Sequence, residues 1–222
     1  MTVIVSSIID RVRTQLIDTG SVKRWTDDEL IKWVTDGERT IVAIAPSASS
    51  VNAATPLTAG TLQFIPSNGH MLLSVTRNTG GRAVRVIGRE LIDGFNPDWH
   101  TATASSTVQN YIFDPQQPRQ FYVYPPNDGT GSLDIVYSVM PAERTALTDT
   151  LEVIDLYQTA LVDYVMYRAH QKDSDFAAGA SIAANYLQTF LAFMQQGEGS
   201  QMASNPNLAL TPFSPDAKAA AK

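Results

Sequence analysis

The sequence predicts an α+β fold, a helical bundle of N-terminal helices plus a C-terminal helix hairpin, with an inserted antiparallel β module and an extended C-terminal tail. Apolar residues recur at three- and four-residue spacing near the start and again between Leu151 and Met194. Between those stretches, short β-branched and aromatic runs are separated by Asn, Gly and Pro clusters, and beyond Gln196 the periodicity is lost. The expected boundaries are residues 1–46 and 150–196 for the helical bundle, 47–149 for the inserted β domain and 197–222 for the tail.

The first helix follows from Val5, Ile8, Ile9, Val12, Leu16 and Ile17 on one side, with Arg11 and Arg13 on the other. Thr19-Gly20-Ser21 stops it. In Trp25-Thr26-Asp27-Asp28-Glu29-Leu30 the threonine can cap free amides, Glu29 completes a capping box, and the acidic residues suit the positive end of a helix. Leu30, Trp33 or Val34, Gly37, Ile41 and Ile44 continue an apolar stripe as far as Ala45-Pro46, where proline disfavours helical geometry in the residue before it.

The expected strands are Thr61–Ile65, Met71–Asn78, Ala83–Ile87, Val108–Phe113, Gln120–Tyr124 and Ser132–Val139. The last two flank Pro125-Pro126-Asn127-Asp128-Gly129-Thr130-Gly131, a run of turn-forming residues, and therefore read as a hairpin.

Helical spacing returns near Leu151 with Tyr157, Leu161, Tyr164, Val165 and Arg168. Asp173-Ser174-Asp175 breaks the helix and caps the next, which carries Phe176, Ala180, Ala183, Leu187, Phe190 and Met194. Small residues at 177, 178, 180, 183 and 184 either admit a second helix closely or simply favour helix formation. On the first reading, Ala180, Ala183, Leu187 and Phe190 are candidates for packing between subunits. The tail holds Pro206, Pro212 and Pro215 and a composition that resists a packed core. Its 26 residues reach on the order of 80 Å when extended. Met202, Leu208, Leu210 and Phe213 are scattered apolar anchors, so the tail either stays disordered or orders when it docks on another subunit.

Composition narrows the function classes. A chain of 222 residues with 44% hydrophobic content can bury a sizeable core. Sixteen basic and twenty-two acidic side chains leave a net charge of -6, which disfavours a protein built to wrap DNA. Cysteine is absent, so disulfides, thiolate metal sites and cysteine nucleophiles do not arise, which fits a reducing cytoplasm. The start of the chain lacks a secretory pattern, and no stretch approaches the ~20 apolar residues of a membrane span.

No catalytic, cofactor or metal site is expected. His70, His100 and His170 fall in separate segments without the two-histidine spacing of a zinc site. Gly80-Gly81 lacks the context of a nucleotide loop, and Asp27-Asp28-Glu29, Asp173 and Asp175 read as helix caps. The serines of 47–50 and 105–106 have no hydrolase signature. Arg77, Arg82, Arg85 and Arg89 either touch phosphate or are solvated and paired, whereas Phe121, Tyr122 and Tyr124 suit core or interface packing better than base stacking.

Four places, in this order, then carry a likeness. They are Trp25-Thr26-Asp27-Asp28-Glu29-Leu30 with its helix to Ala45-Pro46; Phe121-Tyr122-Val123-Tyr124-Pro125-Pro126 followed by Gly129; the turn from Tyr137 to Pro141; and the final helix pair with its tail. Together they resemble the head-to-tail adaptor, or connector, family of tailed bacteriophages that includes tail tubular protein A. The resemblance implies a structural virion protein at the head-tail junction, made in the host cytoplasm, with no catalytic residues. It further implies a homo-oligomer, a dodecameric ring that docks on the portal protein through its tail segment and carries tail or nozzle proteins. Double-stranded DNA would pass through transiently, without sequence-specific binding. A rival reading is a β-sandwich recognition module using the aromatic loops around Trp99 and Tyr111, expected as a monomer with an aromatic cleft. A hydrolase with paired acids ranks last, because no spacing singles out two carboxylates.

Overall fold

Helix α1 (Val5–Leu16) and helix α2 (Asp27–Ile44) form where the apolar spacing places them. They belong to a computed structural model that describes residues 3–173 and 177–203 as a mixed α+β fold with five α-helices and two sheets. Val5, Ile8, Ile9 and Val12 line the buried face of α1. Two of its residues depart from expectation. Ile17 leaves the stripe, adopts the left-handed conformation at φ 56° as the C-cap, and is 87% exposed. Arg13, expected on the polar side, is buried, donating to Asp18 at 2.6 Å, to the Trp25 carbonyl at 3.0 Å and to Asp27. Burying a guanidinium is tolerable only because those acceptors surround it. The same bonds lock the turn between α1 and α2.

The capping box at Thr26 forms as expected, with the Glu29 amide donating to Thr26 Oγ1 at 3.3 Å and the Thr26 amide donating to Glu29 Oε2 at 3.2 Å. Trp33 and Val34 are both buried on α2. Gly37 is required, since a Cβ there would lie 2.5 Å from a Leu161 methyl.

The β part contains β1 (Ser50–Pro56), β2 (Gly60–Phe64), β3 (Gly69–Asn78), β4 (Arg85–Val86), β5 (Asn110–Phe113), β6 (Gln120–Asn127) and β7 (Ser132–Val139), with helix α3 (Arg89–Phe95) between β4 and β5. Strand β1 and helix α3 were not foreseen. The sheets have the orders β1-β7-β3 and β2-β6-β5-β4. The expected hairpin of β6 and β7 is therefore corrected, because the two strands lie in different sheets. Pro125 and Pro126 remove amide donors at the end of β6 where a hairpin ladder would begin. Phe121 and Val123 instead meet Leu133, Ile135 and Tyr137 in one core, each strand contributing a buried face. The other face of β6 packs Tyr122 and Tyr124 against Ile92, Trp99 and Ile112.

The chain returns to the helices through an extended segment, not a helix beginning at Leu151. The Leu151 amide donates to the Val3 carbonyl at 2.8 Å and the Val5 amide to Asp149 at 2.9 Å. The return is fixed by Arg144, whose Nε lies 2.8 Å from Glu38 Oε2 in the buried middle of α2. Helix α4 (Gln158–Lys172) follows, then helix α5 (Ala177–Ala203). The rings pair Tyr157 with Phe193, Tyr164 with Phe190 and His170 with Tyr186, so the two helices run antiparallel. Helix α5 continues past Gly197 and Gly199, where a helix end was expected. Each glycine costs roughly 1 kcal/mol relative to alanine, which a long helix tolerates. Ser174, Asp175, Phe176 and residues 204–222 lie outside the described residues.

Three outcomes follow. Ile17→Gly relieves a β-branched side chain in left-handed geometry and should stabilise the protein by about 1 kcal/mol in urea unfolding. Arg144→Ala strands the Glu38 carboxylate and should cost about 3 kcal/mol, with Arg144→Lys recovering only part because lysine lacks the planar fork. Arg13 holds Asp27 below the usual carboxylate range, Lys172 does so for Glu29, and the amides of Thr145 and Ala146 do so for Asp149. Folded values below the unfolded ones mean stability is present above the ordinary carboxylate range and lost as pH falls through the folded values. The thermal midpoint should therefore drop on acidification below about pH 4.

Candidate functional site

The groups that chemistry would need are scattered or already paired. His70 lies on β3; His100 sits 2.8 Å from Thr61 Oγ1 and stacks on Trp99; and His170 stacks on Tyr186 of α5. No cluster of three histidine, aspartate or glutamate residues that could hold a metal occurs among the described residues. Asp27 and Glu29 are engaged by Arg13 and Lys172, and Asp173 by Arg24 at 2.6 Å. Gly80, at φ 70°, forms the turn between β3 and β4. Ser49 bonds Ser138 and the Val139 carbonyl, tying the end of α2 to β7.

Arg77 bonds Asp134 at 2.7 Å and Arg89 lies 3.5 Å from Asp93, so two of the four arginine charges are balanced within the chain. Arg82 lines an open cleft of about 600 Å³ with Asn78, Thr79, Ser106, Thr107 and Thr130. Hydroxyls of that lining are tied into the fold, Thr79 donating to Asp134 at 2.9 Å and Thr130 to Asp128 at 2.7 Å.

The aromatic residues are likewise spoken for. Trp99 is 1% exposed, donates from Nε1 to Asp93 at 2.8 Å, and packs edge-on to Tyr122. An aromatic cleft around it, as the recognition-module reading requires, is closed by the chain's own residues. No described helix is long and apolar enough to cross a membrane.

What remains is surface. Of the candidate packing residues on α5, Ala183 and Phe190 are buried, and Leu187 is partly buried against the helical core beside α4. Ala180 is exposed on the outer side. The exposed side is uncharged and largely polar, with Asn185, Gln188 and Gln195 along it, and Ile182 at 39% and Leu191 at 41% exposure stand at its two opposite margins. From residue 177 to 197 the chain has no charged side chain. A solvent-facing helix ordinarily carries charges on its outer face. This feature was legible in the sequence, but periodicity alone did not say which face the protomer itself covers. Of the tail anchors, Leu208, Leu210 and Phe213 lie outside the described residues, and Met202 is described as backbone only, in the last turn of α5.

The second surface is the edge of β1, which sequence reasoning missed because Ser50-Val51-Asn52-Ala53-Ala54-Thr55-Pro56 has few large apolar residues to mark its alternation. No curated protein matches the chain. A family model does, the SU10 adaptor proteins, and it spans residues 1–210, from the first turn of the helical core through both sheets and beyond the end of α5. With a match of that extent, the chain belongs to the SU10 adaptor protein family, a family of phage structural adaptors.

Proposed function

We propose that this protein is a head-to-tail adaptor whose copies stand side by side as a dodecameric ring between the portal and the tail. The observation that supports this reading most is the exposed side of α5, almost six turns of helix without a charge, with Ile182 half-exposed on one flank and Leu191 on the other, half a turn around the helix. Each flank gains by being covered, and a head-to-tail contact, which gives every copy two different neighbours, closes into a ring when its rotation divides a full turn. Covering the flanks by adjoining protomers leaves the charged faces of the protomer in water.

In this reading the work of the protein is geometry. The ring takes its place on the portal, presents a platform for tail or nozzle proteins, and leaves a passage for double-stranded DNA. The net charge of -6 keeps a passing duplex from adhering through simple attraction. The last turn of α5, with Met202, and the residues after it, with Leu208, Leu210 and Phe213, supply apolar anchors that dock outside their own protomer on the way to the portal. The place of action is the head-tail junction of the virion, after synthesis in the host cytoplasm.

The test is the mass of the purified chain by light scattering, joined to electron microscopy, with and without portal rings. Rings, alone or on the portal, are expected. Ile182→Lys with Leu191→Lys should weaken association tenfold or more, about 1.4 kcal/mol or above, while circular dichroism stays unchanged because both side chains are exposed. A chain that remains monomeric and never joins the portal overturns the reading.

A further inference from the structure

The four edges of the two sheets are not alike. Strand β3 meets β7 with three register shifts and bridges Ala83 from Arg77 on its far side. Strand β2 carries a shift between Gly60 and Leu62, and β4 has only two residues, one of them Arg85. Bulges, brevity and charge are the ordinary means by which proteins keep a sheet edge from pairing with another chain. Strand β1 has none of them. It pairs with β7 through seven consecutive residues, Ser50 to Pro56, without a shift and without a charged side chain. Its other side is open among the described residues, with Ser50, Val51, Asn52 and Ala54 exposed. Val51, Ala53 and Thr55 stand opposite Tyr137, Ile135 and Leu133 of the sheet core, so the margin of that core is uncovered where Val51 is 41% exposed.

Pairing of β1 with its own copy would be symmetric about a twofold axis and would stop at a dimer. A ring needs a different segment at this edge, and the chain carries one. Asn207-Leu208-Ala209-Leu210-Thr211 is an uncharged alternating run held between Pro206 and Pro212, two residues that cannot donate to a ladder. Its place in the fold also fits. Ala48, just before β1, accepts from the Ile154 amide at 3.0 Å, and Tyr157 lies against Phe193 of α5. Helix α5 then runs ten residues further to Ala203, about 15 Å at 1.5 Å per residue. Helix α5 therefore ends on the side of the helical core where the sheets begin.

We propose that residues 207–211 of one copy add as a strand to the free edge of β1 in the adjoining copy, placing Leu208 and Leu210 over the core margin at Val51 and Ala53. The proposal rests on the ring reading and deepens it, since the tail would fasten the neighbouring protomer before Phe213 and the residues beyond it reach the portal. Main-chain hydrogen bonds supply the attachment and the two leucines set its register.

The absence of cysteine makes the test direct. Full-length Asn52→Cys and Ala54→Cys chains are each mixed with Ala209→Cys chains, assembled alone or on portal rings, and oxidised gently; the mass is measured by light scattering and the linkage on non-reducing gels. Paired strands bring the Cα atoms within the ~4.4–6.8 Å that a disulfide spans. A disulfide-linked dimer in one of the mixtures, lost when Leu208 and Leu210 are both changed to Asp, is expected. A double variant carrying both cysteines that links only within its own chain overturns the exchange between copies. Rings that assemble with no such link overturn the strand addition and leave the ring reading standing. Failure of the wild-type chain to form rings with or without portal overturns both.

Discussion

A carboxylate buried in the middle of α2 constrains much of this molecule. Glu38 has no exposed surface, and it is satisfied by Arg144 Nε at 2.8 Å, by the Arg144 terminal nitrogen at 3.3 Å and by the Glu152 amide at 2.8 Å. The Arg144 amide in turn donates to Thr35 Oγ1 at 3.1 Å. All of these donors come from the segment that leaves β7 and re-enters the helices. The chain must come back to one place along α2, because a shifted return would leave a carboxylate and a guanidinium in apolar surroundings without partners. Net stabilisation over an apolar pair is not the point of such an arrangement. Its directional bonds exclude neighbouring registers that apolar contacts would tolerate.

That constraint works with a second one at the opposite end of α2. Arg13 gathers Asp18, the Trp25 carbonyl and Asp27, so the turn from α1 is held by directional bonds while Trp25 and Trp33 pack edge-on beneath it. Lys172 and Arg24 place their charges over the Trp25 ring and pair with Glu29 and Asp173, drawing the end of α4 to the start of α2. Ion pairs thus gather at one end of the helical core. The other end meets the sheets through Ser49, Ala48 and Ile154 and is joined mainly by main-chain and hydroxyl bonds.

The distribution of charge bears on function. Ion pairs lie inside, at the turn from α1 and on parts of the surface, as Arg77 with Asp134 and Arg89 with Asp93, but the exposed side of α5 and the edge strand β1 are left uncharged. Neither feature is usual in a lone protein in water, where an exposed helix ordinarily carries charge and an open ladder risks pairing with another chain. In the proposed ring, both are places for other chains. They differ in kind, since a helix face is covered by packing and an edge by hydrogen bonding, and a head-to-tail contact can use both at once.

Much of the local structure was legible in the sequence. Thr26 and Glu29 announced the start of α2 through the capping box, Pro46 announced its end, and alternation placed β3 and β7 nearly as they stand. The resemblance in residue order also identified the class of protein. Other features were decided only by the tertiary structure. Strands β6 and β7 look like a hairpin because a turn sequence joins them, yet the shared core between their buried faces puts them in facing sheets. Arg13 looks solvated until its acceptors are in place, and Ile17 looks apolar and interior until the helix ends one residue before it. On α5, spacing could name Ala183, Leu187 and Phe190 as a packing face but could not say that α4 of the same chain would take it. Periodicity and capping are set by residues within a few positions of one another, so the sequence alone determines them. Which buried face meets which, and which surface is left over, depends on contacts between residues far apart along the chain, and those exist only in the folded molecule.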